Sequence, residues 1–226
     1  MKNLNVTNWT FGGHSLADTF GGNCQANRAC GNGTDHFSYL TDNNYDYVVI
    51  QQGSVDSDDL LYWVEYIMNF FREGNPDTKF IFLVHARAHN DGYSWLSILK
   101  DVEDLGAEVI DWGDLVYDVY SGNTEVPGAK ETYNKHSFII SKDDFHPGLL
   151  SGYIISTMVY CALTGESAVG QPYEFCEEVR SFLSYRERYY TKGGTNFPQI
   201  FSSPDDMLGL QKLMDRYLEG KYYLDN

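Results

Sequence analysis

Four short groups of residues carry types and spacings that could do chemistry. The stretch Phe11-Gly12-Gly13-His14-Ser15-Leu16 places a serine on a Gly-rich turn near the start of the chain, where Ser15 is a candidate nucleophile. Asp143-Asp144-Phe145-His146 sets a carboxylate three residues ahead of an imidazole. At that spacing Asp143 could orient His146 and stabilise it when protonated, as a general base requires. A hydrogen-bonded structural histidine fits the same spacing, because a single D-x-x-H is a weak motif. Gln51-Gln52 and His85 follow two apolar runs, and the glutamine amides could donate to an oxyanion or simply satisfy loop backbone. His85 and His89 are four apart, which suits a metal on a helix, but no Glu follows His85. His36 and His136 lie in polar stretches and read as solvated histidines.

The elements that must position these groups follow from periodicity. Tyr47–Ile50 and Phe80–Val84 are almost uninterrupted apolar runs and predict strands buried on both faces, as in a parallel sheet, with Ala107–Ile110 as a third. Between the first two, Leu60, Val64, Ile67, Met68 and Phe71 recur at helical spacing over Asp58 to Glu73. Trp95, Ile98, Leu99, Val102 and Leu105 repeat that pattern over Tyr93 to Leu105, with Gly106 after the last apolar position. The order β-α-β-α-β predicts a doubly wound α/β sheet. In such a sheet ligands bind beyond the carboxyl ends of the strands, where the Gln51-Gln52 and His85 groups fall.

A helix is predicted over Leu149 to Leu163, capped by Gly165, so the loop bearing Asp143 and His146 sits ahead of a helix. Two more helices are predicted over Glu174 to Tyr190 and Pro204 to Leu218. They make residues 171–226 a helical extension that packs on a main domain of residues 1–170. Asn5 to Phe11 alternates polar and apolar residues and suits an edge strand.

The 226 residues suffice for a core without staples. A net charge of −16 would repel a polyphosphate backbone, which argues against nucleic acid and anionic membranes as partners. No apolar run reaches the roughly 20 residues needed to cross a bilayer, and no signal-peptide pattern opens the sequence. Soluble cytoplasmic and secreted locations both fit. The 18 Tyr and 4 Trp suit either sugar-binding faces or a Tyr-rich core and surface. Cys24, Cys30, Cys161 and Cys176 form no metal pattern, and both a Cys24–Cys30 bridge and free thiols fit.

Taken in order, "GGHSL", "YDYVVIQQGS" and "DDFHPGLLSGYI" resemble the SGNH (GDSL-like) hydrolase superfamily. The likeness is to a bacterial branch with GG-x-SL, W/Y-D-x-V-x-LQQ-x-S and D-x-x-H blocks, and it covers about Asn5 to Gly165. It implies a flavodoxin-like three-layer α/β/α sandwich and a serine esterase acting on acyl groups, among them acetyl groups of carbohydrates. By this resemblance His146 is the base and Asp143 its orienter. The Gly13 N–H is an oxyanion donor, and Gln52, or alternatively Gln51, stands for the superfamily's Asn. It implies a small-molecule or carbohydrate ester as substrate, and neither metal nor organic cofactor.

In that branch the nucleophile lies on a G-N-S-like turn ahead of GG-x-SL. The 11 residues before Gly12 are too few for a strand, a crossover helix and a second strand. Either the chain is an N-terminally incomplete form of the family, without its nucleophile, or Ser15 has taken that part. Two other function classes stay open: a non-catalytic carbohydrate-binding or interaction protein of the same fold, and a metal-dependent hydrolase built on His85, His89 and a carboxylate.

Overall fold

A computed structural model describes residues 5–6, 15–20, 44–52, 56–121, 123–124, 149–172 and 204–220. Their elements, in chain order, are α1 (Leu16–Phe20), β1 (Tyr47–Gln51), α2 (Leu60–Gly74), β2 (Lys79–Leu83) and α3 (Ala86–Asp91). A 3-10 turn (Ser94–Ile98) runs into α4 (Leu99–Asp104), followed by β3 (Ala107–Ile110), α5 (Trp112–Ser121), α6 (Leu149–Thr164) and α7 (Pro204–Gly220). The strands form a small parallel sheet in the order β1-β2-β3, so the protein is of the α/β class. The chain divides into two compact units, Met1–Phe82 with Tyr93–Ala107, and Leu83–Gly92 with Glu108–Asn226.

In the first unit, α2 buries the five residues its periodicity marks: Leu60, Val64, Ile67, Met68 and Phe71. Phe80, Ile81 and Phe82 of β2 are buried, as the continuous apolar run requires. β1 departs from expectation. Ile50 is buried but Val49 is 43% exposed, so this strand is not covered on both faces. The segment expected as one helix from Tyr93 also differs, beginning as the 3-10 turn before α4. Asp56 explains where it starts, because its carboxylate accepts both the N–H and the Oγ–H of Ser94 at 2.9 Å. Trp95 is thereby driven into the core, edge-on to Phe82 at 6.1 Å. Arg72 closes the far end: its Nη2 donates to the Leu105 carbonyl at 2.8 Å while the guanidinium lies over Phe80.

In the second unit, Asp111 opens α5 by accepting the Asp114 N–H at 2.9 Å, a side-chain cap on an orphan helix donor. Trp112, Leu115 and Val116 are buried below it. Gly113 is required here, since a Cβ would stand 2.3 Å from the His85 carbonyl carbon and 2.6 Å from the Ala86 nitrogen. α6 ends where its Gly predicts, with Gly165 left-handed at φ 71° and its N–H bonded to the Cys161 carbonyl.

The Gln211 amide fastens α7. Its Oε1 accepts from the Gly170 N–H at 3.0 Å, and its Nε2 donates to Tyr153 Oη at 3.0 Å and to the Gln171 carbonyl at 2.8 Å. Tyr217 adds a hydrogen bond from its hydroxyl to Asp118 at 2.7 Å. Cys161 is a buried free thiol, pushed up to about 11 by burial and by the charges of Asp215 and Glu166. Among the described residues no helix is long and apolar enough to cross a membrane. The expected edge strand, apart from Asn5 and Val6, lies outside the described residues, as do the helix over Glu174 to Tyr190, Cys24, Cys30 and Cys176.

Candidate functional site

The first candidate site joins two of the sequence blocks. β1 delivers Gln51 and Gln52 at its carboxyl end, and alternation across the strand sends them opposite ways. Gln51 is exposed, whereas Gln52 is 1% exposed. The buried Gln52 accepts the Leu16 N–H through Oε1 at 3.0 Å, across 36 residues of sequence. Leu16 begins α1, and Ser15 just before it is 7% exposed. The serine turn and the glutamine block are therefore one structural group.

That hydrogen bond fixes the amide's orientation, because Oε1 must face Leu16 and Nε2 must point away from it. Nε2 is buried and has no acceptor among the described residues. An unmet buried donor costs about 1–3 kcal/mol. A developing oxyanion would satisfy such a donor. Gly13, Asp143 and His146 lie outside the described residues.

His85 is buried in the extended residue that precedes α3, and its backbone is the surface on which Gly113 rests. Among the described residues it shares no metal cluster with His89. Among the described residues no three His, Cys, Asp or Glu side chains are grouped to hold a metal ion.

His89 instead joins a second candidate site, within the second unit, that the motifs do not mark. Its Nε2 lies 2.9 Å from both oxygens of Asp111, which assigns the Nε2–H tautomer with the proton donated to the carboxylate. Its Nδ1 faces Asp114, 3.8 Å from Oδ1, and its ring stacks on Tyr117. Burial disfavours the imidazolium. The hydrogen bond to Asp111 and the charges of Asp111, Asp114 and Asp118 outweigh it and hold the pKa above the usual histidine value. Asp114 is raised to about 6, first by burial and then by the charge of Asp111, with His89 acting in the opposite sense. An imidazole oriented by one carboxylate and facing a second that titrates near 6 can hold and pass a proton around neutral pH. The signal available in the sequence was positional: Asp111 directly follows the apolar run Ala107–Ile110, as Gln51 follows the run Tyr47–Ile50 and His85 the run Phe80–Val84.

Comparison with protein-family models, with curated proteins and with solved structures finds no match for this chain.

Proposed function

We propose that the protein is an SGNH-type serine ester hydrolase, cleaving acyl esters of small molecules or carbohydrates. Its α/β body would be a flavodoxin-like three-layer sandwich over residues 1–170, with residues 171–226 packed on it. The observation that carries the reading is the Gln52 amide, buried and held by Leu16 beside Ser15, with Nε2 left without an acceptor among the described residues. An amide held in this way would act as a preorganised donor once the chain around it opened to let a substrate carbonyl oxygen reach the buried Nε2. His146 would act as base, Asp143 would orient it, and the Gly13 N–H would be the second oxyanion donor. Ser15 is the candidate nucleophile on this chain. Its attack on the ester carbonyl would pass its proton through His146 to the leaving alcohol and form an acyl-enzyme, which water then hydrolyses.

A second reading, a non-catalytic carbohydrate-binding or interaction protein of the same fold, is favoured by the near-complete burial of Ser15 and Gln52. Turnover of p-nitrophenyl acetate by the wild type and by Ser15→Ala, His146→Ala and Gln52→Leu separates the two. A hydrolase should lose activity with His146→Ala, and about a hundredfold or more of kcat with Gln52→Leu. Activity retained in both variants would refute the assignment. No turnover by the wild type would leave the binding protein. Activity lost in His146→Ala but kept in Ser15→Ala would assign the attack to another nucleophile.

A further inference from the structure

The outer face of α2 is built unlike the outer face of an ordinary surface helix. Opposite its buried stripe, Tyr62, Glu65, Tyr66, Asn69 and Glu73 are exposed. Tyr62 and Tyr66 are 59% and 41% exposed. The two tyrosine rings lie nearly parallel at 6.2 Å, and Trp63 stands edge-on to both, at 5.0 and 5.7 Å. Contact at i,i+4 accounts for the rings touching each other and adds a few tenths of a kcal/mol to the helix. It does not account for so much aromatic surface left in water.

Among the described residues, the charged groups that flank these rings along the chain are carboxylates. Asp58 and Asp59 precede the helix and Glu65 lies between the two tyrosines, all exposed. Asp59 is occupied by the Ser57 hydroxyl and the Trp63 indole N–H. No ion pair among the described residues takes up Asp58 or Glu65. From Ala29 to Phe71 the chain contains no Lys or Arg and seven carboxylates. An aromatic face attracts a cation through its ring quadrupole, and a flanking carboxylate strengthens the attraction. The same surface repels anions.

We propose that this face of α2 is a docking surface for a basic segment of a partner protein, with arginine side chains laid over Tyr62 and Tyr66 and paired with Glu65 and Asp58. Guanidinium fits better than ammonium because it is planar, weakly hydrated and able to stack while hydrogen bonding at its edge. This assignment is independent of the hydrolase reading.

The test is calorimetric titration of the full chain with a Gly-Arg repeat peptide, its neutral Gly-citrulline counterpart and a neutral cello-oligosaccharide. Physiological salt screens the net charge beyond about 8 Å. The arginine peptide should bind and the other two should not. Tyr62→Ala/Tyr66→Ala leaves the charge unchanged and should weaken binding about tenfold. Tyr62→Leu should also weaken it, because the apolar surface remains but the quadrupole is gone. Glu65→Gln should weaken it about threefold, and Asp77→Asn, an exposed carboxylate outside the patch, should leave it unchanged. The proposal falls if the arginine peptide does not bind or if removing the rings changes nothing. Equal effects of Glu65→Gln and Asp77→Asn would also overturn it, since attraction would then follow net charge alone. So would ring-dependent binding of the oligosaccharide in place of the peptide, which would make the face a sugar site.

Discussion

Replacing Asp114 by Asn should make the protein less sensitive to pH between 5 and 7. Asp114 is 28% exposed, and its pKa stands at about 6 against the ordinary aspartate value of 3.8. The folded state thus holds this proton more tightly than the unfolded chain does. Ionising the group as pH rises from about 4 through 6 therefore removes stability. With those two values, linkage gives a penalty of about 2 kcal/mol at pH 5 and about 3 kcal/mol at pH 7, a loss of about 1 kcal/mol across the interval.

His89 is raised as well. Its contribution is fully present below about 6.5, its unfolded value, and is lost as pH rises through the folded value. The two effects share a direction in the upper part of the window, and because the charge of Asp114 is one cause of the His89 rise, Asp114→Asn reduces both. Asn keeps the shape of Asp114 and retains the backbone N–H that Asp111 caps, so the helix start is preserved. Urea denaturation of both proteins at pH 5, 6 and 7 should show the wild type losing about 1 kcal/mol more than Asp114→Asn. The variant should be the more stable protein at pH 7. Parallel pH profiles, or a variant less stable at pH 7 than the wild type, would refute the proposed burial and charge crowding at this carboxyl.

Three packing predictions can be read from the same denaturation curves. Gly113→Ala should cost about 3 kcal/mol or more, because the new methyl meets backbone atoms of His85 and Ala86 that have no rotamer to move. Gly152→Ala is its control: it lies in α6 with open space around its Cβ direction and should gain up to about 1 kcal/mol, so equal losses at the two sites would contradict the structure. Trp95→Ala should cost about 3–5 kcal/mol, since the ring is among the largest fully buried side chains, and a loss below about 1 kcal/mol would mean that the 3-10 turn does not seat it. Gln211→Leu should cost about 3 kcal/mol by leaving the Gly170 N–H, Tyr153 Oη and the Gln171 carbonyl without this partner, about 1 kcal/mol each.

The crossover from β1 through α2 to β2 was legible in the sequence because it rests on local pattern: two apolar runs and five apolar residues at helical period. The start of the next helix was not, because a carboxylate from residue 56 sets the hydrogen bonds at Ser94, and periodicity carries no information about a partner 38 residues away. Periodicity marks no element over 111–120. Gly113 and three aspartates argue against a helix there by propensity, and tertiary contact overrides them: the glycine is needed for close approach and Asp111 serves as a cap. The half-exposure of β1 was likewise invisible, since an apolar run does not say how much of each face is covered.

At the candidate sites, Gln52 was legible as a residue but not as a held amide. Its burial beside an exposed Gln51 follows from strand alternation, and its orientation from the Leu16 N–H. The pairing of His89 with Asp111 spans 22 residues and two element ends. The one short motif that contains His89, its i,i+4 spacing from His85, points to a different partner. The ester hydrolase reading rests on the order of sequence blocks and on one buried amide, which is why the test at His146 matters most.

The fastening of α7 has a consequence for how the chain must be made. Gln211 meets Tyr153 across 58 residues and Tyr217 meets Asp118 across 99, and α7 is the last of the described elements to leave the ribosome. Until it emerges, the apolar surfaces of α5 and α6 that α7 covers have no native cover and the Tyr153 hydroxyl oxygen lacks the Gln211 amide that donates to it. The second unit therefore completes the described part of its core only once α7 has emerged, and a nascent chain stalled before Pro204 would present those surfaces to the cell.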